Sequence, residues 1–232
     1  LAFFQTKEKF AYPFDEAEQD GYFGLRDAES AKGFIEQDFK EYFHYYPWGR
    51  CPAHLVDDVQ SYYAESQAFA VQLLAWVEQH SPAEVQARYS QPLSTMIDGS
   101  VASLLRILHS PPQQGESKAP RANAHEDINL LTILPAANGP GLLVKHRDGQ
   151  WITVPNEPGT VIINTGDMLQ EASGGYFPST THQVAAGDGV LNESRMSMPL
   201  FLHPKAEVKL SDRYTAGAYL QERLQELGVI KA

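Results

Sequence analysis

Apolar residues repeat along this chain with two different periods, and the change falls near residue 100. In HLVDDVQSYYAESQAFAVQLLAWVEQH (54–80), Leu55, Val59, Tyr62, Phe69, Leu73 and Val77 recur at helical spacing. That predicts one long amphipathic helix with this stripe turned inward. Ser81-Pro82 ends it, and PAEVQARY (82–89) predicts a short second helix, since proline fits a first helical turn. From about residue 104, runs of strand length alternate with turn residues: LLRILH (104–109), INLLTIL (128–134), LLVKH (142–146), WITV (151–154), GTVIINTG (159–166), THQVAA (181–186) and SRMSMPLFLH (194–203). Asp148-Gly149 marks a hairpin between the third and fourth runs, and GTVIINTG has the continuous apolar character of a buried strand. Residues 212–228, opening DRYTAGAYL, predict a C-terminal helix, whereas residues 1–50 are aromatic-rich and irregular around FHYYPWGR (43–50). Regular short strands separated by Gly and Pro predict a mainly β sandwich or barrel with flanking helices, not a doubly wound sheet.

The 232 residues are 43% hydrophobic, enough to bury one sizeable core. A formal charge of −11 without any Lys/Arg block argues against nucleic acid or an anionic membrane as partner. Cys51 is the sole cysteine, so there is no disulfide framework, and a reducing, cytoplasmic setting is expected. No apolar run reaches the length of a spanning helix. The opening LAFFQTKEKF lacks the features of a signal peptide and reads as a start partway into a longer protein.

In RANAHEDINLLTIL (121–134), His125 and Asp127 stand two positions apart at the mouth of an apolar run. On a strand such residues share a face, so they could share a metal ion. A third ligand must come from a neighbouring strand, and His182 in STTHQVAA begins one. Two histidines and one carboxylate leave half of an octahedral ion open, the donor set of non-haem Fe(II) oxygenases. His-x-Asp alone is a common pair, and solvation of a strand end is its plain explanation. What lifts it is the sequence downstream. Arg195 and Ser197 in ESRMSMPLFL are again two apart, with Met196 and Met198 expected to face the core. A buried guanidinium needs an acidic partner, and its planar fork beside a hydroxyl suits a carboxylate. The pair could therefore hold the far end of a dicarboxylate that chelates the metal; a solvated edge-strand arginine is the alternative. His44, His54, His80, His109, His146 and His203 read as ordinary core or solvated histidines.

The order His125-x-Asp127, His182, Arg195-x-Ser197 resembles the Fe(II)/2-oxoglutarate-dependent dioxygenases, more narrowly the isopenicillin N synthase-like group. The resemblance rests on AHEDINLLTIL, on GPGLLVKHRDGQWITVPNEPGTVIINTGDMLQEASGGYFPSTTHQV and on RMSMPLFLHP; it is dense over about residues 100–205 and looser over 1–60. It implies a double-stranded β-helix, a jelly-roll barrel with helices outside. It assigns iron to His125, Asp127 and His182, and 2-oxoglutarate to Arg195 and Ser197. It further implies oxidation of a small molecule by hydroxylation, desaturation or cyclisation, with release of succinate and CO2. The implied organisation is one domain over 1–232 lacking the family's opening strand, with a helical and aromatic flank (1–100), a jelly-roll core (101–205) and a C-terminal helix (206–232). Asp127, where Gly or Ala would admit a halide, disfavours halogenation.

Three positions depart from the family pattern. Ser110 stands where a tyrosine commonly helps bind the co-substrate, Gln183 where arginine often follows the distal histidine, and GGYFPST where Asn-Gly-Arg-Tyr is more usual. Other functions stay open: an iron oxidase that dispenses with 2-oxoglutarate, a jelly-roll module that binds a small ligand without turnover, or a zinc hydrolase. The hydrolase leaves Arg195 and Ser197 unexplained. Tyr42, Phe43, Tyr45, Tyr46 and Trp48 read first as packing and second as a cavity wall. Asn123 and Asn129 read as strand-end solvation or substrate contacts, and Leu143 as a hairpin position facing substrate. Lys7, Lys9 and Arg50 are too scattered to form a phosphate site.

Overall fold

The computed structural model describes residues 1–15, 17–25, 38–113, 120–185 and 193–230. Loop residues 114–119 and Ala186 of the predicted THQVAA strand thus lie outside the described residues. In chain order the elements are α1 (Ala2–Gln5), β1 (Gly21–Phe23), β2 (Glu41–Tyr45), α2 (Val56–Gln79), α3 (Ala83–Gln86), α4 (Leu93–Met96), β3 (Leu104–Ser110), β4 (Ala122–His125), β5 (Leu131–Pro135), β6 (Leu142–Lys145), β7 (Trp151–Thr153), β8 (Val161–Thr165), α5 (Asp167–Ala172), β9 (His182–Val184), β10 (Arg195–Ser197), β11 (Leu200–Leu202) and α6 (Ala216–Glu226).

The strands pair antiparallel in two sheets. The larger runs β1-β2-β3-β11-β5-β8, with β10 also on β3, and the smaller runs β4-β9-β6-β7. Strand period two sends alternate residues to two destinations. Leu105, Leu131, Ile133, Leu200 and Leu202 leave the larger sheet on its outer side and join Ala70 and Leu74 of α2 and Leu93, Met96 and Ile97 at α4 in the main apolar core. Their neighbours Thr132, Leu134 and Phe201 turn inward, opposite Leu142, Val144 and Val184 of the smaller sheet. The core therefore lies outside the barrel, and the barrel interior keeps a cavity of about 90 Å³. This is the expected double-stranded β-helix with helices packed outside.

Helix α2 forms where its period predicts, and Leu55, Val59, Tyr62, Leu73 and Val77 of the expected stripe pack against the core. Tyr63, Ser66, Ala70 and Leu74 are buried, while Phe69 is 41% exposed. Apolar residues come in adjacent pairs (Tyr62-Tyr63, Phe69-Ala70, Leu73-Leu74), so two stripes fit the sequence. Both face the core, and the more deeply buried one runs through the small Ser66 and Ala70, which let the helix approach closely. Two strand expectations also change. β8 is an edge strand with Val161 and Ile163 exposed, not a buried one. The run 194–203 splits at Pro199, which cannot donate to the ladder; β10 and β11 each pair with β3, and Met198 is exposed rather than in the core. β1 and β2 arise in the segment expected to be irregular; β2 is buried along its whole length, so it offers no alternation to read. Among the described residues, no helix is long and apolar enough to cross a membrane.

Candidate metal centre

β4 ends at His125, and Asp127 stands in the turn before β5 rather than on the histidine's strand. The i, i+2 strand geometry is therefore replaced by a different device. The first N–H groups of a helix lack intrahelical partners. In α5 those of Asp167 and Met168 donate to the carbonyls of Asp127 (2.8 Å), Ile128 (3.2 Å) and Asn129 (3.1 Å), and Gly166 N–H donates to Leu130 (3.1 Å). The turn is thereby clipped to the start of α5. Only glycine permits this approach: a Cβ at Gly166 would stand 2.3 Å from both Asn129 oxygens and 2.8 Å from the Asp127 carbonyl.

His125 and His182 face each other across the β4–β9 ladder with ring centroids 4.4 Å apart. Each sets Nδ1 on a carbonyl two residues back, His125 on Asn123 (2.7 Å) and His182 on Thr180 (2.9 Å). A carbonyl can only accept, so Nδ1 carries the proton and Nε2 keeps its lone pair. The Nε2 atoms of His125 and His182 lie 3.9 and 3.7 Å from Asp127 Oδ1. The other oxygen, Oδ2, is occupied by donation from Thr132 Oγ1 (2.6 Å) and Asn164 Nδ2 (2.9 Å). Behind them Asn129 Nδ2 donates to Thr132 Oγ1 (2.9 Å) and to the Leu131 carbonyl (3.0 Å). The three ligand atoms lie within 4.8 Å of one another, the one such cluster among the described residues. Two imidazole nitrogens and one carboxylate oxygen, each held from behind, fit a divalent ion such as Fe(II).

Burial opposes the charge on Asp127, but His182, His125 and the donors Asn164 and Thr132 outweigh it and hold the carboxyl below its ordinary range. Burial, followed by His182, pushes His125 down to about 4, so near neutrality its imidazole is uncharged and ready to ligate.

Two cavities meet here. The inner one holds Arg195 and Ser197. Arg195 is 7% exposed; its Nε donates to the Gly139 carbonyl (3.3 Å) and its Nη1 to Ser197 Oγ (3.2 Å), and it has no ion pair with any described carboxylate. Burial and the nearby Arg121 pull its pKa down to about 10. A buried guanidinium without an acidic partner is costly, and a ligand carboxylate would complete it. The far end of 2-oxoglutarate fits that need. Ser110, buried, lies directly opposite Arg195 in the β3–β10 register. The outer cavity, about 280 Å³, is lined by His44, Tyr46 and His203 and roofed by Leu220 and Leu224 of α6 with Leu227 and Val229 beyond it. Lys40, Arg106, His125, Asp127 and Phe201 border both cavities.

The structure thus brings His125, Asp127 and His182 together, and sets Arg195 and Ser197 in the cavity beside them. Other expectations fare differently. Tyr42, Phe43 and Tyr45 are packing, Trp48 is exposed with its indole N–H on the Val101 carbonyl, and only Tyr46 of that cluster reaches a cavity. Asn123 grips Asp38 Oδ1 through its backbone N–H (2.9 Å) and Nδ2 (2.8 Å). Leu143 lines neither cavity; the strand period turns Leu142 and Val144 inward instead. Lys9 pairs with Glu41 (2.8 Å) and Arg50 with Asp20 (2.6 Å). His44 and His203, read as ordinary histidines, line the outer cavity. Thr132, Asn164, Lys40, Arg106 and Arg121 escape the sequence reading, although Thr132 and Asn164 had a signal as lone polar residues inside apolar strands.

Residues 101–204 match the family model of the 2OG-Fe(II) oxygenase superfamily. The chain is similar to a solved Shewanella oneidensis protein described as a candidate oxygenase, with 50% identity, 99% of this chain and 83% of that chain covered, and a TM-score of 0.88. It is also similar to a Caulobacter crescentus protein described as a candidate 2OG-Fe(II) oxygenase family member, with 29% identity, 97% and 82% covered, and a TM-score of 0.77. Gibberellin 3-beta-dioxygenase 1 of Oryza sativa subsp. japonica is 35% identical over 96 residues, 41% of this chain and 24% of that protein. The segments matched to this and the two Arabidopsis thaliana gibberellin 3-beta-dioxygenases span 24%, 29% and 30% of those relatives. With its jelly-roll barrel, its His-Asp-His cluster and these likenesses, the chain belongs to the 2OG-Fe(II) oxygenase superfamily.

Proposed function

We propose that the protein is an Fe(II)/2-oxoglutarate-dependent dioxygenase that oxidises a C–H bond of a small molecule by hydroxylation, desaturation or ring closure. The observation that carries this is the junction itself: a convergent donor set between one cavity holding a buried arginine that pairs with no carboxylate among the described residues and a second, larger cavity. Bound Fe(II) supplies dioxygen activation, coupled to decarboxylation of 2-oxoglutarate to succinate and CO2. The chain's residues do the rest. His125, Asp127 and His182 hold the ion, and Thr132 and Asn164 decide which Asp127 oxygen is offered. Arg195 and Ser197 take the far carboxylate of 2-oxoglutarate, which sets its 2-oxo acid end toward the metal. Leu134, Leu142, Ile162 and Val184 keep that cavity apolar and exclude water. The substrate lies in the outer cavity against Phe201 and the α6 leucines. A reducing, cytoplasmic compartment suits both a ferrous ion and the free Cys51.

The test is a metabolite-library screen with Fe(II), ascorbate and 2-oxoglutarate, reading succinate for wild type and Asp127→Ala in parallel. Substrate-dependent succinate, one per product and lost in the variant, is the expected result. Product without succinate identifies an iron oxidase that dispenses with 2-oxoglutarate, and turnover that survives Asp127→Ala overturns the metal assignment.

A further inference from the structure

Period two orders the inward side chains of β10 and β11 into one row. Ser197 and Pro199 line the inner cavity, Phe201 borders both cavities, and His203, just past β11, lines the outer one alone. The row thus runs from the Arg195 end, past the junction, to a histidine at the far end. His203 is 8% exposed. Its Nδ1 lies 3.3 Å from the Phe201 carbonyl, which can only accept, so Nδ1 carries the proton and Nε2 keeps a lone pair. Burial pushes its pKa down to about 4, so the ring is uncharged near neutrality. Nε2 makes no hydrogen bond with any described residue and is not sealed among packed atoms, so it opens into the cavity that the ring lines. A buried acceptor left unmatched is costly, and a guest's N–H or O–H would satisfy it. His44 differs: its Nδ1 donates to the Gln19 carbonyl (3.0 Å) and its Nε2 accepts from Arg106 Nε (2.8 Å).

The charges around the outer cavity favour a neutral guest. Lys40 pairs with Asp38 (2.6 Å) and Arg223 with Glu226 (2.8 Å). Arg106 is held by His44 and lies over the Tyr42 and Phe201 rings (4.7 and 5.5 Å from their centroids). Glu126 and Asp167 outnumber it on the same wall. A divalent ion with Asp127 and a dianionic co-substrate brings no excess positive charge, so an anionic guest would meet net repulsion. Leu104, Ile128, Phe201, Leu220 and Leu224 face an apolar body. The volume of about 280 Å³ lies just below the usual range of about 300–1,000 Å³ for ligand pockets, which calls for a compact guest.

We propose that the substrate is a compact, uncharged, largely apolar molecule whose N–H or O–H donates to His203 Nε2, with the carbon to be oxidised at the end nearer the junction. This rests on the dioxygenase function proposed above. His203 is then the residue that selects for a donor group: two positions beyond Phe201 on the same face, it holds the end of the guest away from His125 and Asp127.

Calorimetric titration of the protein loaded with Mn(II) and 2-oxoglutarate, without air, tests it with matched probes. These are indole and N-methylindole, 2-naphthol and 2-methoxynaphthalene, and 2-naphthoate as the anion. Each donor should bind about tenfold more tightly than its methylated twin, because the twin leaves the buried acceptor unmatched. 2-Naphthoate should bind more weakly than 2-naphthol. His203→Phe should bring each pair within about twofold, whereas His203→Gln, whose amide oxygen still accepts, should keep part of the preference. Should the phenylalanine variant fail to fold, His203→Leu decides by the same comparison. Twins that bind wild type equally, a preference that survives loss of the imidazole, tightest binding by 2-naphthoate, or no binding by any probe overturns the proposal. Wild-type protein that takes up neither Mn(II) nor 2-oxoglutarate refutes the dioxygenase assignment itself, a result distinct from failure of His203 alone.

Discussion

Replacing Thr132 by valine keeps the branched shape and removes one hydroxyl from behind the proposed metal ligands. Thr132 is 2% exposed, so water cannot stand in. The change costs Asp127 Oδ2 its 2.6 Å donor and Asn129 Nδ2 its 2.9 Å acceptor, although Asn129 keeps the Leu131 carbonyl and Asp127 keeps Asn164. A hydrogen bond to a charged group is worth about 1.5–3 kcal/mol. At about 1.4 kcal/mol per tenfold, the full loss is about 10- to 100-fold in metal affinity, the usual size for partners of metal ligands. With Asn164 still holding the same oxygen at 2.9 Å, the lower end, about tenfold, is expected. Competition of Mn(II) or Co(II) against a chelating dye, without air, measures it. Thr132→Ser keeps the hydroxyl and should stay within about threefold of wild type. Thr132→Val protein that is folded and binds either metal as tightly as wild type would falsify the claim that this bond orients Asp127.

Gly166→Ala should destabilise by about 1–3 kcal/mol, the cost of forcing atoms into a filled space, and weaken metal binding as well, because the clash falls on the Asp127–Asn129 turn; urea unfolding and the same dye titration read both. His203 is 8% exposed, and burial pushes it down to about 4. The unfolded chain takes up this proton below about pH 6.5 and the folded chain only near pH 4, so stability present above 6.5 is lost as pH falls between them, on the order of 3 kcal/mol in all. His203→Gln should reduce the slope of the melting temperature over that window, to which the likewise depressed His125 also contributes, and an unchanged slope sinks the assignment. Glu41 accepts from Tyr22 Oη, Lys9 Nζ (2.8 Å) and His109 Nδ1 (2.7 Å). Burial opposes its charge, but these donors hold its carboxyl below the ordinary range. Glu41→Gln should cost about 2 kcal/mol at neutral pH, shrinking in acid as the wild-type carboxyl protonates; equal urea midpoints at pH 7 contradict this.

How much could be read from the residues alone follows the two periods. The β3–β11 core was legible because its strands alternate between an apolar outer face and a mixed inner one, and α2 because its period holds over 24 residues. β2 was not, since burial on both faces erases alternation. His125, Asp127 and His182 could be picked out as residue types at suggestive spacing, but the mechanism assumed for bringing them together was wrong. The turn clipped onto α5 depends on Gly166, which looks in the sequence like any strand-ending glycine. Arg121, Lys40 and Arg106 left no signal because they meet around one space only where β4, the approach to β2, and β3 come together, and no local pattern encodes that.

The roof of the outer cavity belongs to a helix that touches none of the chemistry. α6 is 11 residues long, and the leucines that close over the cavity come from it and the residues just after it. On the function proposed above, part of the choice of guest is therefore written in a stretch of text apart from the residues that would hold the metal. A lineage can audition new compounds by editing this peripheral segment while the iron-handling machinery is inherited untouched.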